Sequence, residues 1–300
     1  MESIAYWVHT QGNTGDKEGG TLIDCDELLN QLKKEIRKST GIELYKAEEE
    51  AKRFIDLIRE RTGLLNEQGK DCYAFVHKTF QEYLCAEEIN YRADDEDDFG
   101  IILEHITKHL HDPHWREVLL LLVSQQRPKK AVKAIRKILN NESEYEQWLH
   151  RDLLLAAACL AEDIKGFNVR EKKLGETVSE EVLRGLVDLE VGESNKIGDK
   201  VSGQIFPILS RFSETAYEKR ALELLKAEEE KIDKVKLQRY LIELGDKEEA
   251  VSAFIQLLSN KDSKIYFRPN FISGKHSNEI VNVLIKLLTD EDSKNRYIAA

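Results

Sequence analysis

Proline is scarce: 4 occur in 300 residues, beside 16 glycines. So few breakers disfavour a turn-rich β architecture and favour long helices. No apolar run reaches the roughly 18 residues that a membrane-spanning helix needs, so no membrane role is expected. The first residues, MESIAYWVHTQGN, lack the basic flank and apolar core of a secretory signal. The four cysteines, Cys25, Cys72, Cys85 and Cys159, form no CxxC pair. Their spacing argues against a zinc ribbon or a disulfide framework and suits a reducing cytosol, so a cytoplasmic location is the expectation. Basic excess is missing too: a net charge of −11 opposes general nucleic-acid binding, because phosphates would be repelled. No G-x-x-x-x-G-K-[ST] occurs. Gly69-Lys70 and Gly274-Lys275 are followed by Asp71 and His276, with no glycine at the required offset. No acidic strand of the kind that pairs with such a loop is evident, and there is no G-x-S-x-G elbow. This chain alone is therefore not expected to hydrolyse ATP or to act as an enzyme.

What remains is an ordinary soluble balance, 41% apolar and 34% charged. The first ninety residues have mixed signals. Ile4–His9 reads as a helix end, GNTGDKEGG as a loop, and Thr21-Leu22-Ile23 as a short β-prone piece. Asp24 or Asp26 can cap a helix with Leu28, Leu29, Leu32 and Ile36 at helical spacing. A second helix is expected from Leu44 through Ile58, with Ala47, Ala51, Phe54, Ile55 and Ile58 on one side. Leu64-Leu65 and Cys72–Val76, separated by NEQGKD, read as a β-hairpin. Two or three helices followed by a hairpin outline a winged-helix domain.

The hairpin leads into FVHKTFQEYLCAEEI at 75–89. Thr79 and Glu82 form a T-x-x-E phrase that predicts a capping box, with Phe80, Tyr83, Leu84 and Ile89 turned to a core. The acidic run Asp94–Asp98 reads as a solvated linker. Beyond about residue 99 the chain reads as almost wholly helical. Asp112-Pro113 predicts a helix start opening the buried stretch HWREVLLLLV. LLSNKDS at 257–263 recurs as LLTDEDS at 287–293, thirty residues later, each after an apolar helix. Helical pairs at a fixed period imply an α-solenoid. The ending NRYIAA has no polar capping repeat after it, so the natural protein is expected to continue beyond Ala300.

Three constellations favour bland readings. His105 and His109 are spaced i, i+4 and could face a metal. However, no H-E-x-x-H arrangement accompanies them or His111 and His114, so no metal site is expected. The basic residues of RPKKAVKAIRK (Arg127, Lys129, Lys130, Lys133, Arg136, Lys137) lie opposite the stripe Val132, Ile135, Leu139 and read as a solvated helix face. The sharper alternative is an anion patch, but one without interleaved aromatics for stacking. Cys85 and His77 are too far apart along a helix for a nucleophilic dyad.

The stretch FVHKTFQEYLCAEEI resembles the F-x-H-x-[ST]-F-Q-E-[YF]-x-x-A signature near the end of NACHT nucleotide-binding modules. Phe75, His77, Thr79, Phe80, Gln81, Glu82, Tyr83 and Ala86 all match. HDPHWREVLLLLV is similar to the stretch that commonly follows it, and residues 237–300 resemble HEAT repeats. The resemblance implies a mainly α chain: residues 1–95 as the winged-helix end of a NACHT module, and 96–300 as a HEAT-like α-solenoid. It implies a signal-transduction switch in which a P-loop domain, upstream or on another chain, holds ADP or ATP. In that family a winged-helix histidine reaches the ADP β-phosphate, and His77 is the matching position. The repeats would recognise a protein trigger or effector. By spacing alone, His77 reads instead as a tie between the wing and the helix cap. The alternative for the whole chain is a stand-alone helical-repeat scaffold that binds protein without nucleotide.

Overall fold

The computed structural model describes residues 1–11, 22–57, 64–67, 72–174, 177–192, 198–259 and 277–288. Outside them lie the GNTGDKEGG loop, Thr21, Ile58, the NEQGKD turn from residue 68 onward, most of the LLSNKDS and LLTDEDS pair, and NRYIAA. The fold is mainly helical, with sixteen helices and one three-stranded antiparallel sheet among the described residues. Two compact units divide the chain, Met1–Gln126 and Arg127–Ala300.

The first unit begins with α1 (Glu2–Gln11) and β1 (Leu22–Asp24). Asp24 then caps α2 (Cys25–Thr40): its carboxylate accepts from the Asp26 and Glu27 amides at 2.8 and 3.4 Å. Gly41 closes that helix at φ 67°, a conformation that suits glycine because it has no Cβ. Next come α3 (Leu44–Leu57), β2 (Leu65–Glu67) and β3 (Cys72–Phe75). Strand β3 is central. It pairs Tyr73 with Ile23 of β1 and with Glu67 of β2. Ile4, Val8, Ile23, Leu28, Leu32, Ile55, Leu65, Tyr73 and Phe75 form one core. The expected hairpin is therefore the wing of a three-stranded sheet whose third strand comes from residues 22–24.

Helix α4 (Lys78–Asp95) follows, then α5 (Gly100–His109) and α6 (Arg116–Ser124). Asp94 and Asp95 end α4, and Asp98 accepts the Gly100 amide at 2.7 Å at the start of α5. The acidic run is thus a tight helix-to-helix turn. Asp112-Pro113 does not open α6. The Asp112 carboxylate accepts the His114 amide at 2.9 Å and its carbonyl accepts from Trp115, forming a turn, and the helix starts at Arg116. The stretch after it is buried as expected, with Val118, Leu119, Leu120, Leu122 and Val123 all enclosed.

The second unit runs through α7 (Pro128–Leu139), α8 (Glu146–Leu149), α9 (Arg151–Leu160), α10 (Phe167–Leu174), α11 (Val178–Val191), α12 (Asp199–Ser210), α13 (Glu218–Ala227), α14 (Lys234–Leu244), α15 (Lys247–Ser259) and α16 (Ser277–Leu288). Helices α7, α9, α11 and α13 pack in succession, while α12 lies on α9, α11 and α14. Seven consecutive residues of α9, Leu154–Leu160, are buried, as befits a helix covered on several sides. Ion pairs tie α11 to three other helices: Arg136 of α7 with Glu181, Arg220 of α13 with Glu180 at 2.7 Å, and Lys236 of α14 with the buried Glu190 at 3.0 Å. On α7, Ala131, Val132, Ala134, Ile135 and Ile138 are buried while Lys129, Lys133 and Lys137 face water, the amphipathic division the sequence implies. No helix among the described residues is long and apolar enough to cross a membrane.

Candidate functional site: the wing and the start of α4

Strand β3 buries Tyr73, Ala74 and Phe75, and the Val76 amide donates to the Leu64 carbonyl at 3.0 Å as the chain leaves the sheet. His77 comes next, extended at φ −130° and ψ 131°, as the residue that caps α4. Its side chain is exposed and makes no capping hydrogen bond. Its ring lies 5.8 Å from that of Phe80. The T-x-x-E phrase is not a capping box. Because α4 begins at Lys78, Thr79 is already inside the helix, and Glu82 is drawn into the interior, where Lys78 approaches it at 3.6 Å. The start of α4 is consequently left without a side-chain cap.

The motif's aromatic residues also point the other way from expectation. Phe80 and Tyr83 are 46% and 44% exposed, whereas Gln81 and Glu82 are buried. Leu84 is partly buried and Ile89 fully so. The buried residues of α4 are Gln81, Glu82, Cys85, Ala86, Glu88, Ile89 and Ala93, and the small Cys85, Ala86 and Ala93 let α1 and α6 approach closely. Tyr83 hydrogen-bonds Glu87, whose charge holds the phenol above its usual range. Cys85 lies in this core, and burial pushes its thiol far up, while His77 stays at the surface; the two form no dyad.

Beneath the exposed motif lies a polar cluster. Gln81 Nε2 is 3.5 Å from His9 Nδ1, and His9 stacks on His114 at 3.9 Å between ring centroids. His114 Nε2 is 3.1 Å from the His9 carbonyl oxygen. His9 meets Trp115 edge-on, and His109 stacks on the Trp115 indole at 3.8 Å. His105 does not share a metal with His109. Its Nδ1 is 2.8 Å from the Ile101 carbonyl oxygen and its Nε2 is 3.1 Å from the Tyr6 hydroxyl. Burial, followed by the charge of His114, lowers the His9 imidazole to about 3; burial and then Lys108 lower His109 to about 4. Burial also raises the Glu82 carboxyl, against the opposing pull of Lys78. Sequence reasoning saw His105, His109 and His114 together but missed their partners His9 and Gln81. The available signal was the small-residue spacing of Cys85, Ala86, Ile89 and Ala93, which defines the inward face and carries Gln81 with it.

Chemically, the surface part of the site offers an imidazole, the uncapped positive end of an eighteen-residue helix and an adjacent lysine, Lys78. These suit an anion. Helices, a three-stranded sheet and a wing define a winged-helix class of domain for this part of the chain. Residues 1–89 match the family described as the winged helix-turn-helix domain C-terminal to NACHT. No curated protein and no solved structure matches the chain.

Proposed function

We propose that residues 1–95 are the winged-helix end of a NACHT-type switch ATPase and that His77 contacts the phosphate of ADP or ATP held by an upstream P-loop domain. The reading rests on one observation above others: His77 stands exposed at the uncapped start of α4, with Phe80 and Tyr83 exposed beside it. A helix start without its own cap favours an incoming anion. Two exposed aromatic side chains on the same surface suit a protein face that is covered when the domains close. The nucleotide, when bound, supplies the negative charge. His77 donates an N–H to it, and Lys78 adds positive potential. The match of residues 1–89 to the domain that follows NACHT supports the same assignment.

The helices of the second unit act, on this reading, as a HEAT-like surface that recognises a protein trigger or effector. Their successive packing supports it.

The test is His77→Leu in the protein that carries the P-loop domain, read by release of a fluorescent ADP analogue. A hydrogen bond to a charged group contributes about 1.5–3 kcal/mol, so release should accelerate roughly 10- to 100-fold, with higher basal signalling. Unchanged release and unchanged output would overturn the role of His77 and leave the stand-alone scaffold as the better reading.

A further inference from the structure

The segment between α7 and α9 is held in a costly conformation. Glu142, Tyr145 and His150 have φ of 52°, 65° and 47°, three of the six non-glycine residues with positive φ among those described. Glu142 and Tyr145 are not among asparagine, aspartate and histidine, the residues that tolerate this region best. Strained backbone persists only where surrounding contacts over-determine it, and here they do. The buried Asp152 carboxylate accepts from the Ser143 amide at 3.1 Å and from its hydroxyl at 2.6 Å. Asn141 Nδ2 donates to the same Ser143 oxygen at 2.9 Å. Glu146 turns back to accept the Asp152 and Leu153 amides at 3.0–3.2 Å, capping α9. The Arg151 guanidinium donates to the Glu144 carbonyl at 3.2 Å.

This bracing displays apolar side chains to water. Helix α8 buries none of its residues. Tyr145 is 51% exposed and Trp148 57%, with ring centroids 6.0 Å apart and planes 29° from parallel. Exposed tyrosine and tryptophan on a rigid segment are anchors that lose little freedom on binding. The segment's other exposed side chains include two carboxylates, Glu142 and Glu144.

We propose that residues 142–149 form a docking surface for a cationic segment of a partner protein, bearing arginine or lysine. Its charge lies over the Trp148 and Tyr145 rings and is met by Glu142 and Glu144. The charge pattern selects this occupant. Aromatic faces attract cations, and a purely apolar partner would cover two carboxylates without pairing them. An acidic or phosphate-bearing partner would be repelled.

Isothermal titration of the 300-residue chain with an octa-arginine peptide tests the proposal, with octa-glutamate as control. Octa-arginine should bind and octa-glutamate should not. Trp148→Ala should weaken binding about tenfold, Trp148→Phe should retain most of it, and Glu142→Gln with Glu144→Gln should weaken it and flatten its salt dependence. Because Trp148 is exposed, the melting temperature should not move. Equal binding by Trp148→Ala would mean that the chain's overall negative charge alone attracts the peptide, and would overturn the proposal. So would failure of octa-arginine to bind. Self-association that Trp148→Ala abolishes, without peptide binding, would assign the surface to a second copy instead.

Discussion

Phe80 and Tyr83 face water, and Gln81 and Glu82, interleaved with them, face inward. The aromatic pattern in FQEYL was the strongest apolar signal in the motif, and it pointed to the wrong side of the helix. Ile89 marked the correct face, as expected, but the rest of that face was carried by Cys85, Ala86 and Ala93, whose small side chains give a weak hydrophobic signal but allow close helix approach. Bulk and burial part company here because the bulky residues serve the surface. This has a direct consequence for stability. Phe80→Ser combined with Tyr83→Ser should change the unfolding free energy of the first unit by no more than about 0.5 kcal/mol, the usual range for exposed sites. Ala86→Leu, which adds volume at a fully buried position, should cost roughly 1–3 kcal/mol. Urea unfolding followed by the fluorescence of Trp7 and Trp115, in a Trp148→Phe background, measures both. A large loss from the aromatic pair would mean that the exposed face of α4 is structural after all. His77 was legible in sequence as a position. Its exposure was not, because nothing local says where α4 begins.

At the scale of elements, α1, α4, α5 and the turn before α6 meet around the imidazoles of His9, His109 and His114. The histidines of HITKHLHDPHW were legible as a cluster, but their partner His9 lies about a hundred residues earlier, and only the fold brings it in. The groups facing His9 are His114, Lys78 and His109, all able to carry positive charge, together with neutral Gln81 and Trp115. Burial first, and then these charges, oppose charging His9, against a backbone hydrogen bond with His114 that favours it. The pKa of His9 falls to about 3 and that of His109 to about 4, against an ordinary value near ~6.5. With folded values below unfolded ones, the stabilisation is fully present above pH ~6.5 and is lost as pH falls toward the folded values. Glu82 works in the opposite sense: its raised carboxyl adds stability as pH falls and offsets part of the loss. Because parent and His9→Gln both carry Glu82, comparing the two between about pH 7 and about pH 5 isolates the imidazole. The urea midpoint of the first unit should fall across that interval. His9→Gln should flatten the slope, which reaches about 1.4 kcal/mol per pH unit for one fully titrating group. Parallel profiles for parent and variant would remove His9 from the effect.

For the whole molecule, the family match, which ends at residue 89, and the compact unit, which ends at Gln126, are different things. The motif marks the first; the packing of α4 decides the second. Helix α4 packs against α1 and β3 on the N-terminal side, but also against α5 and α6, which lie beyond residue 95. The end of the unit is tied back to it: Asn90 Oδ1 accepts from Gln126 Nε2 at 2.6 Å, and Gln126 also donates to the Leu122 carbonyl at 2.7 Å. Trp115, Val118, Leu119, Leu122 and Val123 are each at most 2% exposed. Side chains of this kind stabilise by about 1.5–3 kcal/mol apiece. The net stability of an ordinary domain, roughly 5–15 kcal/mol, leaves little margin to lose the burial of all five. Residues 1–126 should accordingly fold alone, with one cooperative urea transition seen equally by circular dichroism and by Trp115 fluorescence. Residues 1–95 should lack that transition and bind a hydrophobic dye, because the face of α4 that α5 and α6 cover is left open. Circular dichroism and dye binding on the two fragments decide the matter. A cooperative 1–95 fragment with the same midpoint as 1–126 would show that α1, the sheet and α4 suffice, and that α5 and α6 are only attached to a winged helix already complete.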